Sequence, residues 1–246
     1  MSIFSIFSRR QPEPLPEELT TDIHSHLLPG LDDGATNMEE TLAMLRTFQE
    51  RGYRRLYTTP HILQDYFPNS PETILPALEQ VRTAVAQAGI EIEIFAAAEY
   101  YLDDAFIAAV NQNASLLSMG PKKYVLFETA FINEPVHLRE VIFQLFSNGY
   151  TPVLAHPERY QYFFDNFARV EDIFSTGVLF QVNYLSFANY YAPPVLKLAE
   201  QLTDAGMVHF LGSDCHKPRH LEAMKALAKS KHWRKALNLP LLNRSL

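Results

Sequence analysis

Six short apolar runs in this chain stop at a histidine or an acid. Thr-Asp-Ile-His24-Ser-His26 comes first, with Asp33 seven residues beyond the second histidine. Then follow Leu-Tyr-Thr-Thr-Pro-His61, Phe-Ala-Ala-Ala-Glu99, Val-Leu-Phe-Glu128, Val-Leu-Ala-His156-Pro-Glu-Arg159 and Phe-Leu-Gly-Ser-Asp214-Cys-His216. An apolar run of about four to six residues reads as a buried strand. In a β/α barrel the C-terminal end of every strand opens onto one face, where the chemistry sits. Six ends that each deliver an imidazole or a carboxylate are the layout of a polynuclear metal site. An open doubly wound sheet would spread the same groups too far apart, so this chemistry favours a barrel.

Between these runs the chain alternates strand and helix. Strands are expected at about 20–25, 54–59, 91–98, 123–128, 151–155, 178–183 and 207–212. Helices are expected at about 37–51, from Ser70-Pro71 to Gly89, at 135–148, over a short stretch ending at Gly177, at 193–205 and at 219–236. Asn37 and Ser70 are capping residues, Pro71 suits a first helical position, and Gly52, Gly89, Gly149, Gly177 and Gly206 mark the stops. Seven strands in βα alternation, without polar alternation inside Val-Leu-Phe or Pro-Val-Leu-Ala, imply a parallel sheet buried on both faces. The expected fold is α/β, a distorted seven-stranded TIM-like barrel in one domain of residues 19–246. Residues 11–18 are rich in proline and acid, so 1–18 read as a flexible tail with an extended linker. For the first ten residues a weak amphipathic membrane contact is the sharper alternative.

Composition narrows the partners. The net charge is −7 with no basic stripe, which argues against a nucleic-acid backbone. No apolar run approaches the ~20 residues of a membrane span. The single cysteine, Cys215, rules out an internal disulfide and fits a reducing, cytoplasmic setting.

A lone His-x-His is weak evidence, and each donor taken singly is more often a core or capping residue. Together, five histidines and four acids carry the argument: His24, His26, His61, His156 and His216 with Asp33, Glu99, Glu128 and Asp214. His137, His220 and His232 read as helical surface residues and His209 as an ordinary strand residue. Imidazole with carboxylate and no thiolate suits Mn, Fe or Zn rather than a structural zinc site. Nine donors exceed the needs of one ion, so two or three ions with bridging carboxylates are expected. Three divalent ions, about +6 in all, would outweigh four carboxylates and draw an anion into an acidic protein. Loop aromatics, among them Tyr66, Phe67, Tyr160, Tyr162, Tyr184 and Tyr191, could stack on a substrate ring or simply pack as a lid. The stretch from Phe131 to Pro135 is a further candidate for the mouth.

The runs DIHSHLLPGLDDGA, TTPH, AAEY, LFE, LAHPERY and GSDCH resemble the polymerase and histidinol phosphatase (PHP) superfamily. More narrowly they resemble the manganese-dependent protein-tyrosine phosphatases of capsule and exopolysaccharide biosynthesis, the CpsB/CapC type. The likeness covers about residues 20–220. It implies a distorted (β/α)7 barrel holding up to three Mn2+ ions, with Fe, Zn or Co as alternatives. It further implies that His24, His26, Glu99 and Asp214 hold one ion. Glu99 would bridge to a second ion on Glu128 and His156, and Asp33, His61 and His216 would hold the third. Arg159 matches a phosphate-binding arginine, Arg219 is the nearest candidate for a second, and His216 could serve as proton donor. The implied reaction is hydrolysis of phosphotyrosine by a metal-bridging hydroxide. The implied substrate is the tail of a polysaccharide tyrosine kinase, which would also account for any peripheral contact with the inner membrane.

Two other readings stand beside it: a small-molecule phosphomonoesterase such as a histidinol-phosphate phosphatase, and a non-catalytic metal-binding regulator. Cysteine phosphatase chemistry is set aside, because it needs an arginine six residues past the nucleophile and Leu221 occupies that position. Oligomeric state has no sequence signature here.

Overall fold

From Thr21 to the C-terminus strands and helices alternate in the computed structural model, which describes residues 19–246; the expected tail at 1–18 lies outside the described residues. The strands are β1 (Thr21–Asp22), β2 (Arg55–Thr58), β3 (His61–Ile62), β4 (Glu93–Ala96), β5 (Glu99–Tyr101), β6 (Tyr124–Glu128), β7 (Thr151–Ala155), β8 (Leu179–Asn183) and β9 (Phe210–Gly212). The helices are α1 (Met38–Glu50), α2 (Pro71–Gln87), α3 (Asp104–Asn111), α4 (Leu138–Ser147), α5 (Phe167–Phe174), α6 (Pro193–Asp204), α7 (Pro218–Ala223) and α8 (Lys231–Leu237).

Every ladder is parallel, in the orders β1-β2-β4 and β3-β5-β6-β7-β8-β9. The two sheets meet within single staves. β2 runs into β3 across Pro60, which has no N–H to give a ladder, and β4 runs into β5 across Ala97-Ala98. Ala97 N–H donates to the Thr58 carbonyl at 2.9 Å and Glu99 N–H to the Pro60 carbonyl at 3.2 Å, which carries the register over the break. The last stave returns to the first through a Ser25–Cys215 bridge, with Asp214 N–H on the His24 carbonyl at 2.8 Å and His26 N–H on the Cys215 carbonyl at 3.0 Å. Seven staves therefore run round as a distorted barrel, as the alternation implied.

Side chains along each stave alternate between two cores. Val125, Phe127, Leu154, Phe180, Val182 and Leu211 point outward into the layer shared with the helices. Tyr124, Leu126, Val153, Ala155 and Phe210 point inward and fill the barrel with Ile23, Tyr57 and Ala97. Higher on the same inward rows stand Glu128, Gln181 and Asn183, all buried. Each stave thus begins apolar at the floor and ends polar at the rim.

The helical expectations hold with two differences. Helix α3 was not anticipated, because its eight residues are too short for a clear stripe; Asp103 caps it by accepting the Phe106 N–H. The single last helix expected at 219–236 is instead α7, a 3₁₀ segment and α8. Ser230 breaks it, since its side chain accepts the Trp233 N–H and starts α8 afresh. No helix among the described residues is long and apolar enough to cross a membrane.

Candidate metal centre

The first two donors are placed by β1 and the segment just after it. His24 and His26 lie two residues apart, both fully buried, with their Nε2 atoms 3.3 Å from each other. The chain after them folds back so closely that a Cβ on Gly34 would lie 2.2 Å from the His26 carbonyl oxygen. That loop carries two aspartates with different tasks. Asp33 remains open to solvent, its side chain 61% exposed, and reaches His216 Nε2 at 3.3 Å. Asp32 turns inward, where its carboxylate binds His26 Nδ1 at 2.7 Å and accepts the His61 N–H at 3.1 Å.

The other staves add one donor each. Glu99 opens β5 and sits at the centre. Its carboxylate lies 3.1 Å from His24 Nε2, 3.4 Å from His26 Nε2, 3.3 Å from His61 Nδ1 and 3.0 Å from His156 Nε2. Glu128 ends β6, 3.2 Å from His61 Nδ1. His156 and Asp214 follow β7 and β9 with φ of 32° and 49°. A left-handed backbone is strained for a side-chain-bearing residue and tends to be kept where it aims a functional group. Seven of the nine sequence candidates line one rim cavity, and His24 and His26 lie buried against Glu99.

The donors group as His26, Asp33, His61 and His216; as His24, His26 and Glu99; and as His61, Glu99 and Glu128. These groups overlap the sets implied by the family resemblance without reproducing them: His26, His61 and Glu99 each belong to two groups, and His156 and Asp214 to none. The set suits divalent cations. Imidazole nitrogens face one another at hydrogen-bond distance, where only one of them can donate. Glu99 Oε2 and His61 Nδ1 are buried inside the cluster without hydrogen-bond partners. Buried donors so arranged could be shared between bound ions.

Electrostatics agree. Burial opposes charge on His24, yet Glu99 and Asp214 outweigh it and hold the imidazolium up to about 9. His61 is likewise held up to about 10, against burial, by Glu99 and Glu128. The carboxyl of Asp214 is buried, but His24, His216 and Arg159 press it far below the usual carboxylate range. Cations entering the cluster would displace these protons.

Arg159 stands on the wall, reached by the 3₁₀ turn Pro157–Arg159 that follows His156. Its guanidinium lies between two rings, 4.7 Å from the centroid of Phe131 and 4.6 Å from that of Tyr191, and donates to Asp214 Oδ2 at 3.0 Å. The cavity measures about 450 Å³, and Leu63, Phe67, Tyr101, Lys217, Arg219 and His220 complete its lining. Arg219 is exposed at the mouth. Lys217 Nζ is tied back to the Gly34 carbonyl at 2.5 Å.

Several residues of the site escaped the sequence reading. His220 is not a bare surface residue: its Nδ1 accepts the His216 N–H at 3.2 Å and its ring lines the cavity. Asp32 was hidden beside Asp33. Gln181 and Asn183 sit two apart in Leu-Phe-Gln-Val-Asn, a polar alternation in an apolar strand that could have marked them as facing inward. Of the aromatic candidates, Phe67 and Tyr191 line the cavity with Phe131, whereas Tyr160 and Tyr184 are buried in the outer core.

Comparison with known proteins follows this geometry closely. The profile of the family described as capsular polysaccharide synthesis, CpsB/CapC, matches residues 20–235. The tyrosine-protein phosphatase YwqE of Bacillus subtilis is 28% identical, over 84% of this chain and 82% of its own length. The tyrosine-protein phosphatase CpsB of Streptococcus pneumoniae is 27% identical, over 89% and 93%. A chain from the crystal structures of these two proteins, described as unique metal-dependent tyrosine phosphatases, superposes with a TM-score of 0.76. It is 26% identical and covers 87% of this chain and 89% of its own.

Proposed function

This chain belongs to the CpsB/CapC family of capsular polysaccharide synthesis, and from that premise we propose that it is a metal-dependent protein-tyrosine phosphatase. One observation carries the reading: nine imidazole and carboxylate donors converge on a cavity whose wall holds Arg159 flat between Phe131 and Tyr191. A purely structural metal site has no use for a clamped cation beside it. A phosphate monoester does, since its charge has to be met on more than one side.

We assign His24, His26, Asp33, His61, Glu99, Glu128, His156, Asp214 and His216 to two or three divalent ions, Mn2+ foremost, with Fe, Zn or Co as substitutes. When bound, these ions acidify water toward neutrality and neutralise phosphoryl oxygens. The protein's own groups do the rest. Arg159, already charged and held by its two rings, binds the phosphoryl group and stabilises charge developing on its oxygens. Phe67, Tyr191 and Phe131 give the phenyl ring an apolar wall. His216, half-buried at the mouth, is the residue placed to hand a proton to the departing oxygen, a role open to it only while its Nε2 is protonated and off the ion. Tyrosinate has a pKa near 10, so that donation adds little to the rate. Arg219 contacts the chain around the phosphotyrosine rather than the phosphate itself.

The substrate we favour is a protein tail, such as that of a polysaccharide-biosynthesis tyrosine kinase. The cavity has an open side, marked by the exposed side chains of Asp33 and Arg219. A closed pocket would suit a metabolite such as histidinol phosphate better. The same reading makes residues 19–246 one phosphatase domain working in the cytoplasm, near the inner membrane only through its substrate.

The test is hydrolysis of a phosphotyrosine peptide and of histidinol phosphate by protein stripped of metal and then reloaded with Mn2+. Turnover of the peptide that disappears on stripping and returns on loading is the expected result. Preference for histidinol phosphate would move the chain to the metabolic branch of the superfamily. Metal binding without turnover of either would leave a regulator.

A further inference from the structure

His24 and Asp214 are joined behind the donor cluster by a buried chain of two amides. His24 Nδ1 lies 2.8 Å from Gln181 Oε1, Gln181 Nε2 donates to Asn183 Oδ1 at 2.8 Å, and Asn183 Nδ2 donates to Asp214 Oδ2 at 2.7 Å. All four residues are at most 3% exposed. Gln181 and Asn183 both point inward from β8, two residues apart. The space for them is reserved: a Cβ on Gly212 would stand 2.7 Å from Gln181 Nε2 and 2.7 Å from His24 Cβ.

The direction of this chain is forced from both ends. An ionised carboxylate only accepts, so Asn183 must turn its NH2 toward Asp214 and its oxygen toward Gln181. Gln181 must then offer its NH2 to Asn183 and its oxygen to His24. From the other side the His156 N–H points at the same Gln181 Oε1, at 3.4 Å, where only an oxygen can receive it. Facing an oxygen, His24 must carry a proton on Nδ1. When a cation displaces the proton of Nε2, the lone pair left there is directed at the cluster, where Glu99 and Asp214 Oδ1 also converge. Asp214 is oriented by the same chain. Oδ2 is occupied by Asn183 and Arg159, and Oδ1 is left to the cluster.

We propose that Gln181 and Asn183 are positioning residues that set the tautomer of His24 and the orientation of Asp214 as one unit, so that both present their free atoms to a divalent ion. This rests on the metal-centre reading above. Asp32 does the same service for His26 alone, with a carboxylate. Between His24 and Asp214 a carboxylate could not serve, because it would meet Asp214 with no proton to give.

The experiment uses the full chain, stripped and titrated with Zn2+ against a chelator, with the His24 Nδ1–H signature, its shift and its protection from solvent exchange, read by proton–nitrogen correlation in the loaded, diamagnetic protein. Gln181→Met should weaken Zn2+ at one site by about 10–100-fold, and His24 should lose its single Nδ1–H signature. Gln181→Glu keeps an acceptor for His24 but repels the Asn183 oxygen. It should keep the signature and lose affinity through Asp214. Should Gln181→Met not fold, Asn183→Leu frees Gln181 to rotate and should leave the His24 Nδ1–H shifted and fast-exchanging. Wild-type affinity with an unchanged signature in Gln181→Met or Asn183→Leu would overturn the proposal. So would equal losses in Gln181→Met and Gln181→Glu with the signature intact in both, since that pattern is packing alone. No substrate enters these measurements. Failure of phosphotyrosine turnover in the parent chain would therefore sink the phosphatase reading and leave this one standing.

Discussion

The two ends of the barrel are built from the same staves by opposite rules. At the floor, Tyr124 and Phe210 meet edge to face with centroids 5.0 Å apart, and Leu246 closes the end against Gly120. The polar group that enters there, Asn243, is fully matched: it accepts the Leu211 N–H and donates to the carbonyls of Leu211 and Thr21. At the rim, buried acids and imidazoles crowd together, and Glu99 Oε2, His61 Nδ1 and His156 Nδ1 are left without hydrogen-bond partners. The floor is closed by the protein's own contacts, whereas the rim gathers donors that could hold ions. Stability should therefore reside at one end and activity at the other, and substitutions can break that division.

The largest expected effect is at the floor. Phe210→Ala removes a fully buried ring from a closed core and should cost about 3–5 kcal/mol, read as a lowered denaturant midpoint. The turnover per folded molecule should stay near that of the parent. A comparable loss of turnover at full folding would mean that floor and rim are one mechanical unit. The converse is Arg159→Ala, which should lower kcat about 10²–10³-fold while moving the melting temperature little. Its ion pair with Asp214 is only part of the support that Asp214 has, since Asn183 also holds it. A variant that loses stability more than rate would make Arg159 a strut rather than a phosphate ligand.

The floor was easier to read from the sequence than the rim, for a physical reason. Buried strands read as unbroken apolar runs and helices as a stripe, so Leu126, Val153 and Phe210 announce themselves as core. The donors announced themselves too, because an imidazole or carboxylate at the end of an apolar run has no cheaper explanation. What stayed hidden was everything that orients them. Gln181 and Asn183 are ordinary polar residues whose meaning lies in the partner across the barrel, 157 residues away for His24 and Gln181, and Asp32 is masked by its neighbour Asp33. No local pattern encodes that distance. The short β1 and the broken last helix were also out of reach, because one depends on pairing and the other on a single serine cap.

Asp22 sits where the two regimes meet, and its titration sharpens the boundary. Burial outweighs the two hydrogen bonds from Ser213 and pushes its carboxyl up to about 6. A raised carboxyl binds more protons in the folded than in the unfolded state. Its contribution is therefore present at low pH and lost as pH rises from about 4 through about 6. The loss amounts to at most about 3 kcal/mol. Asp22→Asn should gain stability relative to the parent by up to that amount between pH 4 and pH 7, measured by urea unfolding. An identical difference at both pH values would place Asp22 with the ionised rim.

The smallest effect isolates a histidine that the site does not use. His209 precedes β9 on the outer face, where its ring stacks on Phe174 at 5.4 Å and its Nδ1 accepts the Phe180 N–H at 3.1 Å. Burial alone lowers its pKa, the opposite of His24 and His61 at the rim. A histidine held neutral by the fold binds fewer protons folded than unfolded. Its share of stability is present above the unfolded value of about 6.5 and is lost as pH falls below it. His209→Asn keeps an oxygen near the Nδ1 position and cannot titrate. The variant should therefore lose less stability than the parent between pH 7.5 and pH 5.5, with metal-dependent turnover unchanged at both. A change in turnover that follows this substitution would tie the outer face to the rim and erase the distinction between structural and functional histidines.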